Sequence, residues 1–533
     1  MSIAPYLLEK DYLRFGRAEE IKDPRVRRAF RFFEMVPGGL SWFTLFLLVW
    51  VSWLFPFFAA VFIIVFDFYW LIKTVYLSLH LRSSYRALRK NLTVDWQKEL
   101  RALSKEQYVY KGIADWRELY HLVIFPMYKE SHLVVKGSFE ALLKTKYPKD
   151  RFIVVLAIEE KGGAEAAAVA EKIQQEFGSV FYRFLVTKHP GDIPGELAGK
   201  GSNESYAARK TKEVIIDPLA IPYDRILVSV FDVDTSVPEQ YFGVLTRSFL
   251  QQPDALRVSY QPVPFFTNNI WEAPAIARVI AFSATFWHMM QQERPERQTT
   301  FSSHSMSFQA LVEIGYWQTN IVSEDSRIFW QCYFHYKGNW RTQSLYYPVM
   351  MDANVAHSFT QTMINVYKQQ RRWGYGSENL PYIMYAFSKE KSIRWSTKFK
   401  WIFNVIEGFH SWATNSLIIF FLGWLPLYIG GETFNTDLLS YNLPRFTRNL
   451  MILAMLGLVS SAVMSILLLP PRPPQYGRWR YLLMVLQWPL MLITIIFFGS
   501  FPGLEAQTRL MLGKYMGFWV TEKARKTEAG TVV

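Results

Sequence analysis

Two stretches of almost unbroken apolar sequence, one near each end of the chain, limit what it can fold into. Residues 40–79 are interrupted only by Pro56, Asp67 and Lys73 as breaker or charged residues. One helical crossing of a bilayer takes about 20 residues, so this run is long enough for two. Arg25, Arg27, Arg28 and Arg31 precede it, and Arg82, Arg86, Arg89 and Lys90 follow. Positive charge on both flanks puts both ends on the cytoplasmic side. The expectation is a helical hairpin turning near Pro56; a single long tilted helix is the other reading. Apolar sequence returns at 411–429, 450–469 and 481–499. Before it, 396–410 mixes Lys398, Lys400 and Glu407 with Trp401, Ile402 and Phe409, as a helix lying in the interface does. The last apolar segment has Arg472, Arg478 and Arg480 before it and Arg509, Lys514, Lys523 and Arg525 after it. Short, basic on both sides and holding Pro489, it is expected to be re-entrant or to lie along the interface.

Between these ends the period changes. Short apolar runs at 121–125, 151–157 and 226–231, with a helix expected over 131–146, point to an α/β domain with a mainly parallel sheet. Residues 85–112 read as a charged amphipathic helix leading into it. The divisions are a basic N-terminal segment (1–38), a transmembrane hairpin (39–81), a linker helix (82–114) and the α/β domain (115–392). Interface, transmembrane or re-entrant helices (393–500) and an interface helix with a basic tail (501–533) follow. A formal charge of +14 suits a phosphorylated substrate or an anionic membrane surface, and no nucleic-acid motif accompanies it. The single cysteine, Cys332, excludes an internal disulfide and a multi-cysteine metal site. The charged N-terminus is not that of a cleavable signal peptide.

In open parallel sheets, ligands sit beyond the carboxyl ends of the strands. The first run ends in Tyr128 and Glu130, the second in Glu159, and the third in Asp232-Val233-Asp234. Two carboxylates at that last spacing can share a hard divalent cation with the oxygens of a substrate diphosphate. Gly199-Lys200 is placed to reach phosphate. Glu324-Asp325 precedes an aromatic-rich helix, where Asp325 can act as a general base towards a hydroxyl. Gln369, Arg371, Arg372 and Trp373 bring together directional hydrogen bonds, rigid cationic forks for phosphate and a flat face for a sugar ring. Each motif alone is weak; an isolated D-x-D is more often a solvated or capping pair.

In order along the chain, these motifs resemble the family 2 glycosyltransferases. The likeness is to their membrane-embedded branch of cellulose, chitin and hyaluronan synthases, over about residues 115–400 and the flanking helices. Phe518, Val520, Thr521 and Lys523 look like that branch's F-x-V-T-x-K gating loop. The resemblance implies a GT-A-type α/β catalytic domain, a mainly parallel sheet flanked by helices, inserted between N- and C-terminal transmembrane helices. It implies inverting, processive transfer from a nucleotide sugar of the UDP type to a growing polysaccharide, coupled to translocation. Mg²⁺ or Mn²⁺ would be held by Asp232 and Asp234. Tyr128, Glu130, Glu159, Lys200 and Asp232 would face the nucleotide sugar. Asp325, beside Glu324, would be the base. Gln369, Arg371, Arg372 and Trp373 would frame acceptor and pyrophosphate. The expected place is the cytoplasmic (plasma) membrane, with the catalytic domain facing the cytoplasm. The alternative keeps the donor and adds one sugar to a lipid acceptor; a transporter with a soluble domain is remote. Two residues depart from the pattern: Glu159 stands where Asp is usual, and Ser323 where Thr is commoner.

Overall fold

The computed structural model describes residues 11–519. Two long helices open it, α1 (Pro24–Leu54) and α2 (Pro56–Leu92). The Asp23 carboxylate caps α1 by accepting from the amides of Arg25 and Val26, and Pro24 sits where no N–H is needed. Phe55 leaves helical geometry at φ −136° and Pro56 restarts the helix. The far ends of both helices meet the same domain. Phe30 lies 6.0 Å from Tyr385, and Asn91 Nδ2 donates to the carbonyls of Leu345 and Tyr346 at 3.2 and 3.3 Å. The pair is therefore a hairpin with Phe55–Pro56 at its tip. Lys73, within the apolar run, ion-pairs with Glu407, whose other oxygen takes Arg297 at 2.8 Å. A charge in such a segment needs a partner of this kind.

The amphipathic helix expected across 85–112 is not continuous. The first helix stops at Leu92, Asp95 accepts from the amide of Lys98 at 3.2 Å, and that cap starts a short new helix, Trp96–Ala102. Asp and Thr side chains compete with helical backbone in this way, which the charge pattern does not reveal.

The α/β domain runs β1 (Tyr120–Met127), α3 (His132–Lys144), β2 (Phe152–Glu159), α4 (Gly163–Phe177), β3 (Arg183–His189), α5 (Lys200–Thr211), β4 (Ile226–Val230) and α6 (Tyr241–Leu250). It continues with β5 (Val258–Phe265), α7 (Ala275–Gln292), β6 (Ser305–Ser307), α8 (Glu324–His335), β7 (Arg341–Met350), α9 (Phe359–Gly374) and α10 (Asn379–Lys389). The sheet order is β3-β2-β1-β4-β6-β5-β7, and β6 alone runs against the others. Buried on both faces, β1 alternates between two cores. Val123 and Phe125 pack towards Phe139 and Phe242, while Leu122 and Ile124 pack towards Met306 and Phe329. After β1 the chain adds β2 and β3 on one side and then returns to place β4 on the other, and this reversal opens a crevice at the carboxyl ends of β1 and β4.

After the domain come α11 (Trp395–Phe420), bent by 44° into Leu422–Ile429, then α12 (Leu438–Leu467) and α13 (Trp479–Met511). The interface helix and the first apolar segment expected separately are thus one run. Helices α1, α2, α12 and α13 are long and apolar enough to cross a membrane.

Candidate active site

The crevice between β1 and β4 collects the charged residues. Asp232 lies just beyond β4, after Phe231, and keeps 27% of its side chain exposed. Asp325 stands at the second position of α8, 23% exposed. Between them lies the Lys200 ammonium, 2.9 Å from Asp232 Oδ1 and 2.9 Å from both oxygens of Asp325. Glu204, one turn on from Lys200, and Glu324 lie 3.5 and 3.9 Å from the same nitrogen. Lys200 thus faces four carboxylates.

Local sequence makes this convergence possible. Gly199 and Gly201 flank Lys200 at the start of α5. A Cβ on Gly199 would fall 2.6 Å from Phe518 Cβ, and one on Gly201 2.8 Å from Glu324 Cβ. Only bare backbone lets α5 approach α8 and the C-terminal segment so closely. The turn before α8 is held by Glu378, whose Oε1 accepts from the amides of Val322 and Ser323 and from the Ser323 hydroxyl at 2.9, 2.8 and 2.7 Å. Fully buried Arg327 ties α8 to α10 through Asn379 Oδ1 at 2.6 Å and stacks over Tyr382 at 4.0 Å.

Electrostatics follow from burial. Burial alone would depress Lys200, but Asp232, Asp325, Glu204 and Glu324 together outweigh it and hold the ammonium well above the usual lysine range. Burial and the neighbouring Asp325 push Glu324 up to about 8, and burial raises Glu204 well above the usual carboxylate range. His304, with Nδ1 3.9 Å from Asp325 Oδ1, is held below its usual value by burial. At the end of β2, burial likewise raises Glu159.

The structure brings together Lys200, Asp232, Glu324 and Asp325, and adds Glu204, which the sequence reading missed. Its signal was available: Glu204 sits four residues after Lys200, on the same helical face. Asp234 turns inwards, 1% exposed, and its Oδ2 accepts from the amide of Asp352 at 3.0 Å. At the β1 end, Glu130 Oε2 accepts from the amides of Tyr128 and Lys129, so that carboxylate organises its own turn. Glu159 is buried beside His189, its partner in the β2–β3 register.

On α9 the expected cluster divides. Arg372 stacks over Phe518 at 4.8 Å and faces Glu324, whereas Arg371 turns away to Glu505 at 2.6 Å. Trp373 packs against Phe266 at 6.0 Å, and Gln369 is half-buried. The C-terminal segment reaches this rim because Tyr515 donates to Glu34 at 2.8 Å and Arg17 donates to the carbonyl of Met516 at 3.0 Å. Val520, Thr521 and Lys523 lie outside the described residues.

Oxygen donors suited to a hard cation are present. Asp232 is reachable, and oxygens of Glu204, Glu324 and Asp325 lie within 4.8 Å of one another. The Lys200 ammonium already stands among them.

No protein-family model matches the chain, and no curated protein does. Among solved structures, a mannosyltransferase from Pyrobaculum calidifontis, in complex with GDP-Man and Mn²⁺, aligns at 13% identity and a TM-score of 0.42, over 76% of this chain and 99% of that one. Staphylococcus aureus TarS residues 1–349, in complex with UDP-GlcNAc, aligns at 10% identity and a TM-score of 0.35, over 78% of this chain and 96% of that one. GalNAc-T7 with UDP, GalNAc and Mn²⁺ aligns at 10% identity and a TM-score of 0.33, over 54% and 57%. At these scores the likenesses are loose.

Proposed function

We propose that the chain is a membrane-integrated GT-A-type glycosyltransferase that passes a sugar from a nucleotide-activated donor to the end of a growing glycan, with inversion. The observation that carries this reading is the facing pair at the crevice. Asp232, after β4, and Asp325, at the start of α8, meet across one ammonium. One carboxylate stands where a donor diphosphate would lie, and the other, Asp325, would take a proton from an acceptor hydroxyl in place of one of its contacts to Lys200. The acceptor oxygen bonds to the anomeric carbon as the bond from that carbon to the diphosphate breaks, and Asp325 receives the hydroxyl proton. A single displacement by one base inverts the anomeric centre.

Asp232 would hold Mg²⁺ or Mn²⁺ together with oxygens of the diphosphate, with Asp234 behind it. A cation held there offsets the charge that develops as the diphosphate leaves. Tyr128 and Glu159 would face the nucleoside, taken as uridine by the resemblance above. Arg372 would meet the pyrophosphate, while Trp373 and Gln369 would frame the acceptor. The basic flanks of the apolar helices favour a cytoplasmic catalytic domain, where nucleotide sugars are.

A second reading, one sugar added to a lipid-linked acceptor, has its own support. A groove of about 580 Å³ between α1, α9 and α13 is lined by Trp42, Tyr367, Phe501, Leu504, Arg509 and Lys514. The rim also carries Glu505, paired with Arg509 at 2.8 Å, and apolar walls with a remaining excess of positive charge beside membrane helices suit an anionic lipid headgroup.

The test is nucleotide release from purified protein with UDP-glucose, UDP-N-acetylglucosamine, UDP-galactose, UDP-glucuronate and GDP-mannose, with Mn²⁺ or Mg²⁺. Asp325→Asn is the control, and any product is sized. Donor-specific release that stops in the variant, with a high-mass product, supports the synthase. Release with a lipid-sized product supports the second reading. Release unchanged in Asp325→Asn overturns the mechanism.

A further inference from the structure

We infer that Lys200 is the resident counter-cation of this site, and that a divalent metal must displace its ammonium from Asp232 before the donor can be held. The inference rests on the glycosyltransferase reading above and adds how the site is charged before its substrates arrive.

Three observations carry it. First, the ammonium touches both functional carboxylates at once, 2.9 Å from Asp232 and 2.9 Å from Asp325. It therefore takes Oδ1 of Asp232, the carboxylate that is 27% exposed to the crevice. Second, it is anchored from below. Glu204 is fully buried, neither of its oxygens has a hydrogen-bond partner among the described residues, and Lys200 is its ion-pair partner at 3.5 Å. A carboxylate so placed is compensated by a nearby cation or by a proton. Third, the oxygens of Glu204, Glu324 and Asp325 converge within 4.8 Å, as the ligands of a metal ion do, and Lys200 Nζ lies within 3.9 Å of each of those residues. The lysine stands where the acidic cluster would otherwise attract a metal.

An ammonium and a divalent cation on one Asp232 carboxylate repel each other, and the burial of Lys200, Glu204 and Glu324 weakens the screening of that repulsion. A metal arriving alone would have to push Lys200 off Asp232 against that repulsion, leaving the ammonium to Asp325, Glu204 and Glu324. A metal arriving with a diphosphate brings negative oxygens that replace those Lys200 gives up, while Glu204 and Asp325 retain the lysine nearby. The protein alone should bind metal weakly, and the nucleotide should strengthen that binding. The metal then enters with the donor, and the site discriminates against metal alone.

The experiment reads metal binding, not turnover. Mn²⁺ is titrated into the full-length protein in detergent and free ion is followed by electron paramagnetic resonance, with and without UDP. Wild type is compared with Lys200→Met and with the double variant Lys200→Met/Glu204→Gln. The double variant removes the buried pair together and guards against misfolding from an uncompensated Glu204. Circular dichroism establishes that each variant is folded. The expected result is at least tenfold tighter Mn²⁺ binding in either folded variant without UDP, and a smaller gain on adding UDP than wild type shows. Equal or weaker binding in the variants overturns the inference. So does an absence of Mn²⁺ binding to every protein with UDP present, which also removes the metal from the proposed function. The reading of sugar transfer itself stands or falls separately, on nucleotide release and Asp325→Asn.

Discussion

Glu378 never touches a substrate in the reading above, yet it should control turnover. It is buried, and its Oε1 accepts from Val322 N, Ser323 N and Ser323 Oγ at 2.9, 2.8 and 2.7 Å. Those donors belong to the turn that launches Glu324 and Asp325 into the site. Glu378→Ala leaves two backbone amides without partners, and each unsatisfied buried donor costs about 1–3 kcal/mol. At the low end this sums to roughly 2 kcal/mol of local stability, or about a thirtyfold rise in opening of the turn, since each 1.4 kcal/mol is tenfold. Glu378→Gln keeps an acceptor in place and loses only the charge assistance, so it should fall between wild type and Ala. Hydrogen exchange at residues 322 and 323 reads the opening directly. An ångström of displacement at the base costs on the order of a hundredfold in rate. The expected outcome is about thirtyfold faster exchange at both amides and a loss of kcat for Glu378→Ala of at most about a hundredfold, with donor KM little changed. Wild-type exchange and turnover in Glu378→Ala would refute the reasoning; so would Gln being as damaging as Ala.

Other expectations are shorter to state. Gly201→Ala places a Cβ 2.8 Å from Glu324 Cβ and should cut turnover about tenfold through displaced geometry; full turnover would show that α5 shifts without consequence. Glu324 is held up to about 8 by burial and Asp325, so its neutral form is the one the fold favours. Its stabilising contribution is complete below the ordinary carboxylate value near 4.5 and is lost as pH rises through about 8. Thermal melting of wild type should therefore fall relative to Glu324→Gln over that window, and parallel melting curves would contradict this. Glu505→Ala frees Arg371, Arg509 and the Tyr367 hydroxyl, bound at 2.6, 2.8 and 2.8 Å. It should lower thermal stability by about 1–3 kcal/mol while nucleotide release persists, because Gly374 still packs on Gly503.

How much of this was legible beforehand differs by element. Strands β1, β2 and β4 were readable because buried parallel strands are continuous runs such as Leu122-Val-Ile-Phe125. Strand β5 was not, because Pro262 and Pro264 argue against a strand. The fold accommodates Pro262 at an irregularity between Gln261 and Val263, and it places Pro348 of β7 on the outer edge. Strand β3 is a half-exposed edge, and β6 is three residues long. At the site, the order of motifs located Lys200, Asp232, Glu324 and Asp325, but not their relation. No linear pattern tells that Lys200 bridges two carboxylates 32 and 125 positions away, that Asp234 turns inwards, or that Arg371 belongs to Glu505. Those facts depend on where α5, α8 and α13 pack.

The path of the chain through the apolar layer follows from contacts at its turns. Gly430, at the end of the bent segment, comes so close to the hairpin tip that a Cβ there would lie 2.8 Å from Pro56 Cβ. Pro470, after α12, accepts from Trp271 Nε1 of the α/β domain at 3.3 Å. Thus α11 with its bent extension leads away from the domain and α12 leads back. Helix α13 then begins near Trp271, through Tyr481 at 5.4 Å, and stacks Trp488 on Phe286 at 5.7 Å. It ends with Arg31 holding the carbonyls of Leu510 and Met511, and the chain beyond it brings Phe518 against Gly199. Although α13 is long and apolar enough to cross, both of its ends lie on the domain's side. Length and hydropathy count crossings in isolation and take no account of the partner contacts at each end. Cysteines placed at exposed Thr433, Gln475 and Lys514, in a chain whose Cys332 is buried, test this with a membrane-impermeant thiol reagent on sealed cells. Thr433→Cys should label from outside, and Gln475→Cys and Lys514→Cys only after the membrane is opened. Labelling of Gln475→Cys in sealed cells would mean that α13 crosses and that the C-terminal segment reaches the site by another route.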